Sequence, residues 1–157
     1  MQSASSSAKT TTPNTGDPIR QFSLYLENKV GALHDLVAML GASNLHILAL
    51  SVHDNTESSI IRLIVDDHDK AYEILRQHGY YLNESEVLGV ELDSEADLRF
   101  VLSALLETEV NIHYLYPFLV RPGGKYAVIL HVEDNELGAQ ALSIRSYRVL
   151  RQHDLSR

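Results

Sequence analysis

Asn28, Lys29, Val30 and Gly31 stand directly ahead of an apolar stripe, Leu33, Leu36, Val37 and Leu40, spaced as one face of a helix. The first backbone N–H groups of such a helix point outward with partial positive charge, which suits a carboxylate. Gly31 permits a positive φ and close approach of a ligand. The Asn28 amide offers an oxygen to an ammonium and an NH2 to a carboxylate. A small zwitterion presents both groups side by side. The same residues equally serve to shape a tight turn, so a ligand site and a structural turn both stay open.

Other residue types point to less. Eight histidines raise the question of a metal, yet no His-Glu-x-x-His or close ligand cluster occurs. His34, His53, His68, His78 and His153 are expected on exposed turns or helix faces, and no metal or cofactor is expected. Gly123-Gly124-Lys125 ends like a phosphate loop, but Leu119 stands where its first glycine belongs and Tyr126 where Ser or Thr belongs, which leaves a hairpin turn. Tyr114 and Tyr116 alternate on a strand as RNA-stacking aromatics do. The acidic balance and the absence of interleaved basic residues argue instead for core or interface rings whose hydroxyls reach an edge. Arg62 reads as a solvated strand residue paired with Asp66 or Asp67, with anion recognition as the alternative. No Gly-x-Ser-x-Gly or other nucleophile-base arrangement is present, so no catalytic residue and no enzyme activity are expected.

The whole-chain numbers set bounds on these readings. The 157 residues carry 13 Lys and Arg against 21 Asp and Glu, a formal charge of −8 that opposes both nucleic-acid phosphates and anionic lipid. No cysteine means no disulfide and no thiolate metal site. No apolar run reaches the ~18 residues of a membrane span, and no signal-like segment opens the chain. The expected location is cytoplasmic.

The elements that must position the turn come twice. The stripe Leu33, Leu36, Val37, Leu40 recurs 65 residues on as Leu98, Val101, Leu102, Leu105, and Leu45-His46-Ile47 recurs as Val110-Asn111-Ile112. Leu75 and Leu142, and Tyr80 and Tyr147, are 67 apart. A period this long, seen twice, indicates a duplicated domain, not a solenoid. Each copy reads as strand, helix, hairpin, helix, strand. In the first these are Phe22 to Leu26, a helix stopping near Gly41, His46 to Val52 with Ser58 to Val65, a helix capped within Asp66 to Asp69 and closed by Gly79, and Tyr80 to Leu82. In the second they are Val87 to Leu92, a helix capped by Asp93 or Ser94, Asn111 to Phe118 with Tyr126 to Val132, a helix from about Glu136 to Arg145, and Tyr147 to Leu150. The boundaries expected are a disordered Ser/Thr-rich tail over 1–19, a first domain over 20–85 and a second over 86–157.

Asn28-Lys29-Val30-Gly31-Ala32-Leu33 resembles the Asn-x-Pro-Gly-x-Leu turn of ACT domains, with Val30 in place of proline. His46-Ile47 and Asn111-Ile112 resemble the Asn-Ile that opens their second strand. Arg62 to Asp67 with Lys70-Ala71, and Asn111 to Tyr116, are similar to stand-alone two-ACT proteins, while the second turn, Asp93-Ser94-Glu95-Ala96-Asp97-Leu98, lacks the glycine. The resemblance implies an α+β fold of two ferredoxin-like βαββαβ domains side by side. It also implies a non-enzymatic regulatory protein of amino-acid metabolism that binds a free amino acid where the domains meet. The alternative it suggests is a regulatory subunit of a biosynthetic enzyme, similar to the small subunit of acetolactate synthase. The implied lining is Asn28, Val30, Gly31, Ala32 and Leu33, then His46 and Ile47, with Asp93, Asn111, Ile112 and Tyr114 from the second copy. Asp93, Glu95 and Asp97 would repel an incoming carboxylate, so the first copy is expected to carry the principal site. One continuous sheet of about eight strands is expected, its helix-free face packing on a second chain as a homodimer.

Overall fold

A computed structural model describes residues 16–156. The elements are β1 (Ile19–Glu27), α1 (Ala32–Ala42), β2 (Ile47–Asp54), β3 (Ser58–Val65), α2 (His68–Gln77), β4 (Leu82–Leu92), α3 (Asp97–Glu107), β5 (Ile112–Pro117), β6 (Tyr126–Val132), α4 (Asn135–Ile144), β7 (Val149–Leu150) and α5 (Gln152–Leu155). The duplication is visible in the backbone. α3 is α1 displaced by 65 residues at both ends, and the positive-φ residues that end these helices, Asn44 and Glu109, differ by the same number. Asp67 and Asp134, 67 apart, cap α2 and α4 by accepting from the N–H groups of Lys70 and Leu137, and Gly79 and Ser146 close them at positive φ.

The sheet has seven strands among the described residues, in the order β2-β3-β1-β4-β6-β5, with β7 on β4. About eight were expected in one continuous sheet. The difference lies at β4, where the last strand of the first copy and the first strand of the second run as one. Glu84, Ser85 and Glu86, which stand between the expected strands Tyr80 to Leu82 and Val87 to Leu92, pair in register with Phe22, Gln21 and Arg20 of β1, so the ladder never breaks. Farther along, β4 pairs with β6 from Leu88 to Leu92 and with β7 at Gly89 and Val90. β4 therefore belongs to both halves.

Three apolar layers follow. Phe22, Leu36, Leu40, Leu63 and Leu75 pack beneath α1 and α2. Val90, Val101, Leu105, Leu130 and Leu142 form the matching layer beneath α3 and α4. The third layer contains Ile19, Leu48, Ala49, Ile64, Val87, Tyr116, Ala127, Ile129, Leu150 and Leu155, and lies between the faces of the two halves that carry no long helix. The Leu119 N–H donates to Leu48 O at 2.7 Å beside an Ala49–Phe118 bridge, so the strand path returns on itself. The face expected to dock a second chain is instead buried within this one, because the two copies supply complementary apolar surfaces to each other.

Smaller expectations also change. Residues 1–15 of the expected tail lie outside the described residues, but Ile19 opens β1 and is fully buried, and Asp17 O accepts from Gln152 N–H. Neither Asp93 nor Ser94 caps α3. Ala96 takes that position, while the Asp97 carboxylate turns back to accept from the N–H groups of Asp93 and Ser94. α5, too short for an apolar period to show, was not anticipated.

Candidate functional site

At the first turn, Gly31 adopts φ 86° as the residue ahead of α1, and no side chain caps this helix. A Cβ placed on Gly31 would meet nothing within 4 Å. Asn28 and Val30 are exposed, Ala32 and Leu33 partly so. The helix start therefore faces open space, as a ligand requires. At the second turn the Asp97 carboxylate already holds two N–H groups, and Asp93 pairs with Lys125 at 3.0 Å.

The remaining expected lining lies elsewhere. The first turn follows β1, whose Leu24 pairs with the first residue of β4, whereas Asp93 follows the last. Ten strand residues, about 33 Å, separate those ends. His46 is held at the opposite end of the first sheet, where its N–H and ring bond the Asp66 carboxylate, each at 2.9 Å, and Ile47 pairs with Val65. Burial alone would raise the Asp66 pKa, but these bonds bring it below the usual value. Asn111 O accepts from Glu133 N–H, and Ile112 pairs with Val132. Tyr114 OH accepts from the Gln21 side chain at 2.7 Å, about 20 Å along β1 from Glu27. Within one chain the structure does not gather Asn28–Leu33 and Asn111–Tyr114 into a shared pocket among the described residues.

The two halves do meet in a polar cluster. Fully buried Gln21 accepts from Tyr116 OH at 2.5 Å while donating to Tyr114, so both hydroxyls turn inward, not to an edge as expected. Burial raises the Tyr116 pKa beyond any physiological titration. The Arg62 guanidinium lies 3.8 Å above the Tyr114 ring centroid instead of pairing with Asp66 or Asp67. On Tyr114's other partner, His131, the rings are 4.8 Å apart and nearly parallel.

A polar pocket of about 450 Å³ at the start of α2 is lined by Arg20, Asn44, Asp66, His68, Asp69 and Gln152, among others. His68 was expected at the surface but is buried, stacked 4.1 Å from Phe22 with its Nε2 on Glu84. His34, His53, His78 and His153 are exposed as expected. Among the described residues no group of three His, Cys, Asp or Glu side chains could hold a metal, and no helix is long and apolar enough to cross a membrane. Pro122–Gly124 forms a 3-10 turn with Gly123 and Gly124 at positive φ, the hairpin turn read from the sequence.

The comparisons agree with this architecture. A search of curated protein sequences finds no match. Protein BT0572 from Bacteroides thetaiotaomicron is 28% identical, with 90% of this chain and 98% of that one covered and a TM-score of 0.81. The ligand-free regulatory subunit of aspartate kinase from Thermus thermophilus shares the fold at 15% identity, covering 81% of this chain and 91% of that one with a TM-score of 0.56. The same subunit from Thermus flavus gives 17% identity, 83% and 96% coverage and a TM-score of 0.53. The family model described as an ACT domain pair matches residues 18–157, and the chain belongs to that family.

Proposed function

We propose that this ACT domain pair is a non-enzymatic regulatory protein that senses a free amino acid, with domains over 20–85 and 86–157 and the principal site at the first turn. The observation that carries the reading is the contrast between helix starts. α2 and α4 are closed by Asp67 and Asp134, and the turn before α3 is filled by Asp97. The start of α1 is open around Gly31. Its N–H groups can take the ligand carboxylate, with Asn28 beside them for the ammonium.

A thermal-shift screen against the twenty amino acids tests this. Ligand at 100 times its Kd stabilises by about 2.7 kcal/mol, which raises the midpoint by several degrees. Gly31→Asp should abolish the rise, since it adds bulk and negative charge where the carboxylate sits, whereas Asp93→Asn should preserve it. No response to any amino acid removes the reading.

The neighbours favour a second reading, because both Thermus proteins are regulatory subunits. Phe100, Leu106 and Ile144 are exposed on α3 and α4, and Leu106 and Ile144 flank the Glu107–Arg145 pair that joins those helices. A catalytic subunit or a second copy of the chain would dock there. Sedimentation alone and with candidate enzymes distinguishes these partners, and a monomer that binds none removes this reading.

A further inference from the structure

The halves meet along two stretches related by the duplication, and these stretches differ in chemistry. The pairs Leu50–Leu63 in β2–β3 and Leu115–Leu130 in β5–β6 fix the correspondence. His113 stands where the first copy has Leu48, Tyr114 where it has Ala49, His131 where it has Ile64, and Arg62 where the second copy has Ile129. Both hairpins shift register at matching places, between Ile47 and Ala49 and between Ile112 and Tyr114. Leu48, Ala49, Ile64 and Ile129 are buried together in the inner layer. Their counterparts form a stack, Arg62 on Tyr114, Tyr114 against His131, and His113 5.2 Å from His131.

Folding alone favours the apolar set, since charge removed from water without a counter-ion is costly. Arg62 Nε and His131 Nδ1 are buried with no hydrogen-bond partner among the described residues. Burial first, then the charges of His113 and Arg62, lowers the His131 pKa, and no carboxylate offsets them. Elsewhere in this acidic chain Arg20, Arg145 and Arg148 all meet carboxylates. His113 is exposed and the other three are partly so, so solvent reaches the stack.

We propose that Arg62, His113, Tyr114 and His131 form a second binding site, for a small oxyanion such as a carboxylate or phosphate. The Arg62 fork donates to its oxygens while Tyr114, backed on its other face by His131, holds the guanidinium flat. The site draws on both copies and is independent of the first turn.

Histidine ring resonances of the full chain test this, titrated with phosphate, with succinate, and with potassium chloride at matched ionic strength. Saturable shifts at His131 and His113 from either oxyanion but not from chloride are expected, the tighter one identifying the source. Arg62→Gln should weaken binding roughly tenfold or more, the loss of a charge-assisted hydrogen bond. Arg62→Ile, which takes the residue of the second copy, Ile129, should fold and lose any oxyanion-dependent rise in melting temperature. Gly31→Asp should leave the response intact, which separates this site from the amino-acid site. Absence of saturable shifts from both oxyanions, or equal shifts in Arg62→Gln, overturns the proposal.

Discussion

Burial of His68 between Phe22 and Glu84 ties the stability of the fold to pH. Burial is the largest influence and lowers the pKa, partly opposed by the hydrogen bond to Glu84. Folded His68 thus stays neutral where an unfolded histidine, with its ordinary value of 6.5, takes a proton. Its contribution is complete above that pH and lost as pH falls through the window below. His131, also lowered, acts in the same direction. Asp66, lowered from 3.8, has its effect only in more acidic solution. Urea midpoints should therefore decline from about pH 7 to 5, and less steeply in His68→Gln; parallel profiles would absolve His68. The caps at Asp67 and Gly79 were legible in the sequence because their chemistry is local. The directions of His68, Arg62, Tyr114 and Tyr116 were not, since the Gln21 partner of the two tyrosines is 93 and 95 residues away.

Among the elements, α1 and α3 could be read from their stripes and β4 over Val87 to Leu92, whereas its continuity back to Leu82 could not. Glu84-Ser85-Glu86 has no apolar residue to alternate, and only pairing to β1 makes it a strand. Tyr114 could be named as a site candidate, but its distance from the first turn depends on how β1 and β5 meet. Gly89 on β4 sits where the inner layer leaves no room for a side chain. A Cβ on Gly89 would lie 2.6 Å from Ile19 Cδ1 and 3.4 Å from Leu150 Cβ, where β1, β4 and β7 converge. Ile19 is fully buried and has little room to yield. Gly89→Val should cost about 1–3 kcal/mol or more in urea unfolding through overpacking. A variant as stable as the parent would show that the junction can relax.

For the whole molecule, the shared strand and the inner layer join two small units into one body. A unit of ~65 residues has a thin core of its own. Cutting between residues 85 and 86 would also break β4 and expose Ile19, Ile64, Val87, Ile129 and Leu150, which pack across the halves. Each such side chain loses about 1.5–3 kcal/mol when it returns to water, so a few account for most of the 5–15 kcal/mol that stabilises a typical domain. The full chain should unfold in one transition, with circular dichroism and intrinsic tyrosine fluorescence giving coincident curves. Residues 16–85 or 86–157 expressed alone should show no cooperative melt, and mixing the two should restore part of it. Either fragment melting cooperatively by itself, near the temperature of the full chain, would mean that the halves are autonomous and the inner layer is only a contact surface.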